Sequence, residues 1–333
     1  IAAAQAESGH NVAVFVPTPG EQESDQGLPQ AAIEQRVRVY RVPLGARSRT
    51  KVFLQTFRQQ QLQRAWQMVL EAEQPDLVHI EHLMGLPLDL VADLRDRGIP
   101  YVVTLHDYWY LCANAQLLTN TEQKICSGPD GKALNCARCA LARAGLHSAG
   151  HAAPLFAPVM KVRNNQAMAV LKDASRIIAP TKFVRDIYHS LLPGLHEIVV
   201  LAHGIELPGN VVKKPQREQR TDQQDGRLHV GDIGGIAWQK GVHVLVSAVN
   251  GMSEEDITLT LYGDLTVFPE YVAELEALID RPGITLPGTV DRERIWQAIA
   301  QFDVVVIPTL WYETSVLVID EVHAMGVPVI GSH

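Results

Sequence analysis

Short apolar runs alternate with amphipathic stretches along almost the whole chain, with Gly, Pro, Asn or Asp between them, and this rhythm leaves few folds open. The runs at 11–16, 37–42, 77–80, 101–105, 176–179, 198–201, 228–233, 257–262, 284–286, 303–307 and 327–330 have the length and β-branched content of buried strands. Between them, 52–72, 86–97, 158–172, 182–191, 242–248, 271–278, 292–300 and 315–325 have helical spacing, and several close on Gly or Pro. Strands buried on both faces and joined through helices form parallel, doubly wound sheets. The length of 333 residues suggests two such domains.

The domain boundary is expected near residue 205, giving domains 1–205 and 206–333. The polar stretch 212–228, nearly free of large apolar residues, reads as a surface linker just beyond that boundary. The acidic, Pro- and Gly-rich stretch 17–30 reads as a loop. The chain opens on a helix ending near Gly9 and closes directly after a strand, so a preceding strand and a following helix are expected beyond both ends.

Charge narrows the function. Lys and Arg total 29 against 37 Asp and Glu, a formal net charge of −8, and no basic run stands out, so the footprint of a nucleic-acid binder is absent. No apolar stretch reaches the roughly 18 residues of a membrane span.

Ligands of doubly wound sheets bind beyond the carboxyl ends of the strands, and four stretches there carry chemistry. After the strand 303–307, Pro308 and Trp311 turn the chain into a helix framed by Glu313 and Glu321. Thr314, Ser315, Val316 and Leu317 between them supply backbone N–H groups suited to a phosphate. The ordinary alternative is a capping Ser beside two solvated carboxylates. After the strand 228–233, Gly234 and Gly235 let the backbone approach a ligand, and Lys240 precedes a helix, together suited to a diphosphate. This loop is neither a Walker loop nor G-x-G-x-x-G. His106 and Asp107 follow the strand 101–105, His82 follows 77–80, and Tyr108, Trp109 and Tyr110 come next. A satisfied histidine at a strand end is the alternative for His106.

All four cysteines, Cys112, Cys126, Cys136 and Cys139, fall in the irregular stretch 111–149, the last two as C-x-x-C. A structural zinc held by four thiolates, two disulfides and four unligated thiols are the open readings.

Taken in order, these residues resemble the family-4 glycosyltransferases, retaining enzymes of GT-B fold. The resemblance rests on 75–79 (PDLVH), 104–112 (TLHDYWYLC), 178–181 (IAPT), Lys240-Gly241 and the E-x7-E of Glu313 and Glu321. It implies an α/β fold of two Rossmann-like domains facing a cleft, with the first on the acceptor side. It also implies transfer of a hexose from a UDP- or GDP-sugar to a saccharide or lipid-linked acceptor. By the resemblance, Glu321 meets the ribose and Glu313 the hydroxyls of the donor sugar, while Lys240 neutralises the diphosphate. The N–H groups of 315–317 hold the distal phosphate, Gly288 meets the base, and His106 reaches the donor sugar from the other domain.

Gly235 stands where the family often has Arg, Val316 replaces a Gly of the E-x7-E loop, and Val322 an Ala. No D-x-D occurs, so no catalytic metal is expected and the nucleotide sugar is the only small molecule required. The alternatives are a nucleotide-sugar epimerase on the same fold and a non-catalytic nucleotide-sugar-binding relative. A cytoplasmic location is expected, with peripheral contact at the inner face of the membrane if the acceptor is lipid-linked. Arg47, Arg49, Lys51 and Arg58 form a mildly basic patch, and 145–160 is apolar with few charges. The plainer reading of both is a solvated face and a packed helix. Oligomeric state is not legible.

Overall fold

The computed structural model describes residues 1–19, 29–45, 48–207 and 226–332. The linker stretch up to residue 225, the acidic loop 20–28 and Arg47 lie outside them, as does the side chain of Arg49. Two compact units divide the chain, Ile1–Ala202 and His203–His333.

The first unit runs α1 (Ala2–Glu7), β1 (Ala13–Pro19), β2 (Gln30–Glu34), β3 (Val37–Leu44), α2 (Arg49–Gln55), α3 (Gln60–Glu73), β4 (Val78–Ile80), α4 (Leu90–Asp96), β5 (Tyr101–Thr104), α5 (Leu134–Arg143), α6 (Ala153–Asp173), β6 (Arg176–Ala179), α7 (Lys182–Leu191) and β7 (Ile198–Val200). Its strands form two sheets, β1-β3-β2 and the all-parallel β4-β5-β6-β7. Leu62, Ala65, Trp66, Val69 and Leu70 of α3 are buried at helical spacing. The Gln59 side chain caps this helix through Leu62 N at 2.6 Å. The single helix expected over 52–72 is in fact two, α2 and α3, with a break in which Leu88 N–H donates to Thr56 O at 2.8 Å.

The antiparallel strand β2 has no counterpart in the expected pattern. It joins β3 through Gln35 and Arg36, with φ of 46° and 67°, between the paired Glu34 and Val37. Two left-handed central residues define the tight hairpin turn that normally takes Asn-Gly, and Gln-Arg gives no such signal. Replacing Gln35-Arg36 by Asn-Gly should stabilise the first unit by up to about 1 kcal/mol. Thermal unfolding of wild type and variant reads this directly, and a lower midpoint in the variant would count against the turn.

The second unit runs β8 (Leu228–Ile233), α8 (Val242–Asn250), β9 (Ile257–Tyr262), α9 (Pro269–Leu278), β10 (Ile284–Gly288), α10 (Ile295–Gln301), β11 (Val304–Ile307), α11 (Leu317–Ala324) and β12 (Val329–Gly331). Its strands form one parallel sheet in the order β10-β9-β8-β11-β12. Val242, Leu245, Val246 and Val249 of α8 pack with Val272 and Leu275 of α9 against Leu259, Leu261 and Val304. On the opposite face, Trp296 and Ile299 of α10 and Val322 of α11 pack with Phe302 and Met325 against Val305 and Ile307. Adjacent residues Val304 and Val305 thus serve opposite cores, as period-two geometry requires. Each fully buried aliphatic side chain contributes about 1.5–3 kcal/mol. The strand order reverses between β8 and β11, so the loops after them lead to opposite faces and a crevice opens between them.

Candidate active site

Both loops at that crevice carry the expected residues. After β8, Gly234 and Gly235 lead through a 3-10 turn, Trp238–Lys240, to Gly241 and α8. After β11, Pro308, Thr309, Leu310, Trp311 and Tyr312 lead to Glu313. Backbone locks the two together: Leu310 N–H donates to Gln239 O at 2.8 Å. A Cβ on Gly241, whose φ is 69°, would lie 2.0 Å from Pro308 O, so only glycine fits. A Cβ on Gly263, after β9, would lie 2.3 Å from Gly234 O. Gly234 N–H bonds Tyr262 O at 3.0 Å, and Gly263 N–H bonds Gly288 O at 2.9 Å. Gly234, Gly263 and Gly288 therefore line the carboxyl ends of three adjacent strands.

At the centre, Lys240 Nζ lies 2.6 Å from Glu313 Oε1. The same oxygen accepts from the Thr309 hydroxyl at 2.9 Å and from Trp311 Nε1 at 2.8 Å. Lys240 Nζ also sits 5.3 Å from the Trp311 ring centroid. Glu313 is thus fixed by three donors, all on one of its oxygens. Glu321, on α11, is 3% exposed and its carboxylate pairs with Arg292, which precedes α10. The two glutamates that frame the helix are held by different partners.

Helix α11 begins at Leu317, two residues later than expected. Val316 occupies the cap position, no side chain caps the helix, and Thr314 and Ser315 lie in the approach to it. The capping-Ser alternative is therefore not realised. Asp232, near the end of β8, is buried. Burial pushes its carboxyl up to about 7, against the lowering effect of Lys240 and of the Ile233 backbone.

In the first unit, His106 follows β5 with its Nε2 at 2.6 Å from Glu81 Oε2. A carboxylate only accepts, so that nitrogen donates. Glu81 follows β4 and also has Oε1 at 3.5 Å from His79 Nδ1, while His79 Nε2 lies 2.7 Å from Thr104 Oγ1. Burial pushes Glu81 up, but the His106 hydrogen bond and the charges of His79 and His106 outweigh it and hold the carboxyl below its ordinary range. His82 does not join His106. Its Nε2 lies 2.9 Å from Asp107 Oδ2, and its Nδ1 accepts from Met84 N–H at 2.8 Å. Tyr108, Trp109 and Tyr110 are core residues, each at most 3% exposed. Beneath them, buried Arg163 donates to Trp109 O at 2.5 Å and lies 4.3 Å from the Trp109 ring centroid. Burial draws this guanidinium down to about 10.

The cysteine stretch contains α5, with Cys136 and Cys139 in its first turns. Asp130 caps its start by accepting from Lys132, Leu134 and Asn135 N–H at 3.0, 2.9 and 3.0 Å. No disulfide joins the four half-buried cysteines, so the disulfide reading is not realised. Burial pushes Cys136 up to about 12. Cys139 Sγ accepts from Asn120 N and Nδ2 at 3.3 and 3.2 Å. Among the described residues no three Cys, His, Asp or Glu side chains are grouped to hold a metal ion.

Residues 1–204 match the family described as "Glycosyl transferase 4-like domain", and residues 227–333 match "Glycosyl transferases group 1". The chain belongs to the family-4 glycosyltransferases. This glycosyltransferase is similar in fold to sucrose-phosphate synthase from Thermosynechococcus elongatus, with 17% identity over 99% of this chain and 73% of that one and a TM-score of 0.69. The Anabaena HepE structure in complex with UDP and glucose matches with 18% identity, 97% and 80% coverage and a TM-score of 0.57. Trehalose-6-phosphate synthase matches with 13% identity, 97% and 77% coverage and a TM-score of 0.59. No curated protein matched. The GT-B fold with Rossmann-like domains and the family are as the sequence led us to expect.

Glu81, Arg292, Thr309, Trp311 and Asp232 were not singled out from the sequence. Only Trp311 and Thr309, inside the motif stretch, carried any signal there. Asp232 generates a testable pH dependence. Its folded carboxyl, near 7, binds a proton more tightly than the unfolded one near 3.9, so its contribution falls as pH rises through about 4 to 7 and is flat above. Asp232→Asn should therefore raise the unfolding midpoint of the second unit relative to wild type more at pH 8 than at pH 4, by at most about 4 kcal/mol. Equal shifts at both pH values would show that Asp232 keeps an ordinary carboxyl.

Proposed function

We propose that this glycosyltransferase moves a hexose from a UDP- or GDP-sugar to a saccharide or lipid-linked acceptor with retention of anomeric configuration. The observation that carries the reading is the Lys240–Glu313 pair at the topological switch point, beside a glycine loop that brings backbone close to a ligand. The HepE structure is described in complex with UDP and glucose, and that of trehalose-6-phosphate synthase concerns transfer with retention; both descriptions agree with it.

Lys240 neutralises the diphosphate, with the backbone N–H of Gly235 and those of the approach to α11 sharing the charge that develops on the leaving group. Glu321 binds the ribose, Gly288 lets backbone meet the base, and Glu313 holds hydroxyls of the transferred sugar. Three donors already converge on Oε1 of Glu313, and among the described residues Oε2 has no hydrogen-bond partner. A carboxylate so restrained suits binding better than nucleophilic attack. The acceptor oxygen attacks the face from which the nucleoside diphosphate departs, and the departing phosphate oxygen takes the acceptor's proton. Transfer then needs no divalent metal. A protonated Asp232 spares the diphosphate a repelling charge. His106 binds a sugar hydroxyl in an orientation set by Glu81.

Calorimetry with UDP-, GDP- and ADP-sugars, followed by NMR of the product anomer, tests donor and stereochemistry together. Transfer should persist in EDTA. Glu313→Gln should lower kcat by about 100-fold, Glu321→Gln should mainly raise the donor KM, and Lys240→Ala should do both. Unchanged kinetics in Glu313→Gln would refute the assignment. Glu81→Gln, which removes a charge-assisted hydrogen bond from His106, should lower kcat/KM by about tenfold and alter its pH profile. A mere structural role would leave that profile in place.

A further inference from the structure

Helix α6 is apolar on two faces, and its neighbours cover one of them. Ala153, Ala157, Met160, Ala167, Val170 and Leu171 are buried. The other face presents Leu155, Val159 and Val162, spaced i, i+4, i+7 and therefore on one stripe, at 79, 41 and 50% exposure. Phe156 beside the stripe and Leu146 in the preceding turn are also about half exposed. The packed-helix reading of 145–160 thus holds for one face only. A soluble helix normally turns charge outward on the face opposite its core.

The surrounding charge says what fits there. Residues 134–173 contain Arg138, Arg143, Lys161, Arg163 and Lys172 against one acid, Asp173 at the end of α6, which pairs with Arg95, in a chain whose net charge is −8. Arg163 is buried; the other four are exposed. Lys161 and Lys172 are eleven residues apart, which at 100° per residue puts them on one flank of the apolar stripe. An exposed apolar stripe flanked by lysines, on a segment whose one acid, Asp173, lies at the far end of α6 and is paired with Arg95, is complementary to an anionic lipid surface. The apolar residues enter the acyl boundary and the lysines stay among the headgroups. Among the described residues no helix is long and apolar enough to cross a membrane, so α6 would lie in the plane of the interface.

We propose that the exposed face of α6, with the turn that precedes it, docks this glycosyltransferase on an anionic bilayer. The inference does not rest on the donor assignments, and donor binding measured on the same variants keeps the two separable.

The test is co-sedimentation with vesicles of phosphatidylcholine alone or with phosphatidylglycerol added. Wild type should sediment with the anionic vesicles only, and added salt should weaken the association. Leu155→Glu/Val159→Glu/Val162→Glu should stay in the supernatant with an unchanged melting curve. Lys161→Gln/Lys172→Gln, at exposed sites where folding is not at risk, should weaken binding by about fivefold per lysine. Met252→Glu, an exposed apolar residue of the second unit, should bind as wild type does. Wild type left in the supernatant, equal binding to both vesicles, or a triple variant that still sediments would overturn the proposal. So would a dimer abolished by the triple variant without any vesicle binding, which would make the face a contact between two copies.

Discussion

Lys240 and Glu313 are 73 residues apart in sequence and meet because β8 and β11, neighbours in one parallel sheet, send their chains to opposite faces. The site depends on that topological fact. Without the reversal of strand order, the glycine loop and the glutamate loop would follow helices on one side, and no crevice would separate them. The ion pair then fixes what the topology brings together: a cation is held beside the glycine-bearing loop, and the carboxylate that holds it is fixed by two further donors. Lys240 and Glu313 stay partly exposed, so the pair is worth little as a staple and more as a preset arrangement.

The first unit uses its strand ends differently. The imidazole of His106 is oriented by Glu81, whose other oxygen lies 3.5 Å from His79, and His79 is held in turn by Thr104, so polar groups from β4, β5 and the turns after them form one chain of contacts. Beneath it the aromatic run 108–110 is structural. Tyr188 of α7 donates to Asp107 O at 2.7 Å, and Arg163 of α6 holds Trp109 O. The aromatic run Tyr108, Trp109 and Tyr110 is the floor on which His106 and Asp107 are mounted.

Legibility followed locality. The strands of the second unit were readable because β-branched runs bounded by Gly and Pro carry their own punctuation, and the placement of Lys240, Glu313 and Glu321 beyond strand ends followed from that reading. Arg292 was not. Its partner Glu321 lies 29 residues on, and nothing local distinguishes an arginine that will reach a buried carboxylate from one that will face water. Glu81 failed for the same reason, since it acts through a histidine 25 residues away. The hairpin strand β2 failed for another: Gln35 and Arg36 adopt left-handed backbone with none of the residues that usually announce it. The cysteines, conspicuous by spacing, turned out to lie partly on a helix and to be engaged by Asn120 and Asn164.

The glycines at 241 and 263 add something the side chains do not. Where a Cβ would strike Pro308 O or Gly234 O, two segments of main chain are already in van der Waals contact, leaving no slack between the lysine loop and the glutamate loop or between the glycine loop and the end of β9. The spacing of the loops around the crevice is thereby set by backbone, much as a bearing is set by its race. A side-chain substitution elsewhere around the crevice leaves these backbone contacts in place, so a shift of the lysine loop toward Pro308 must carry the glutamate loop with it.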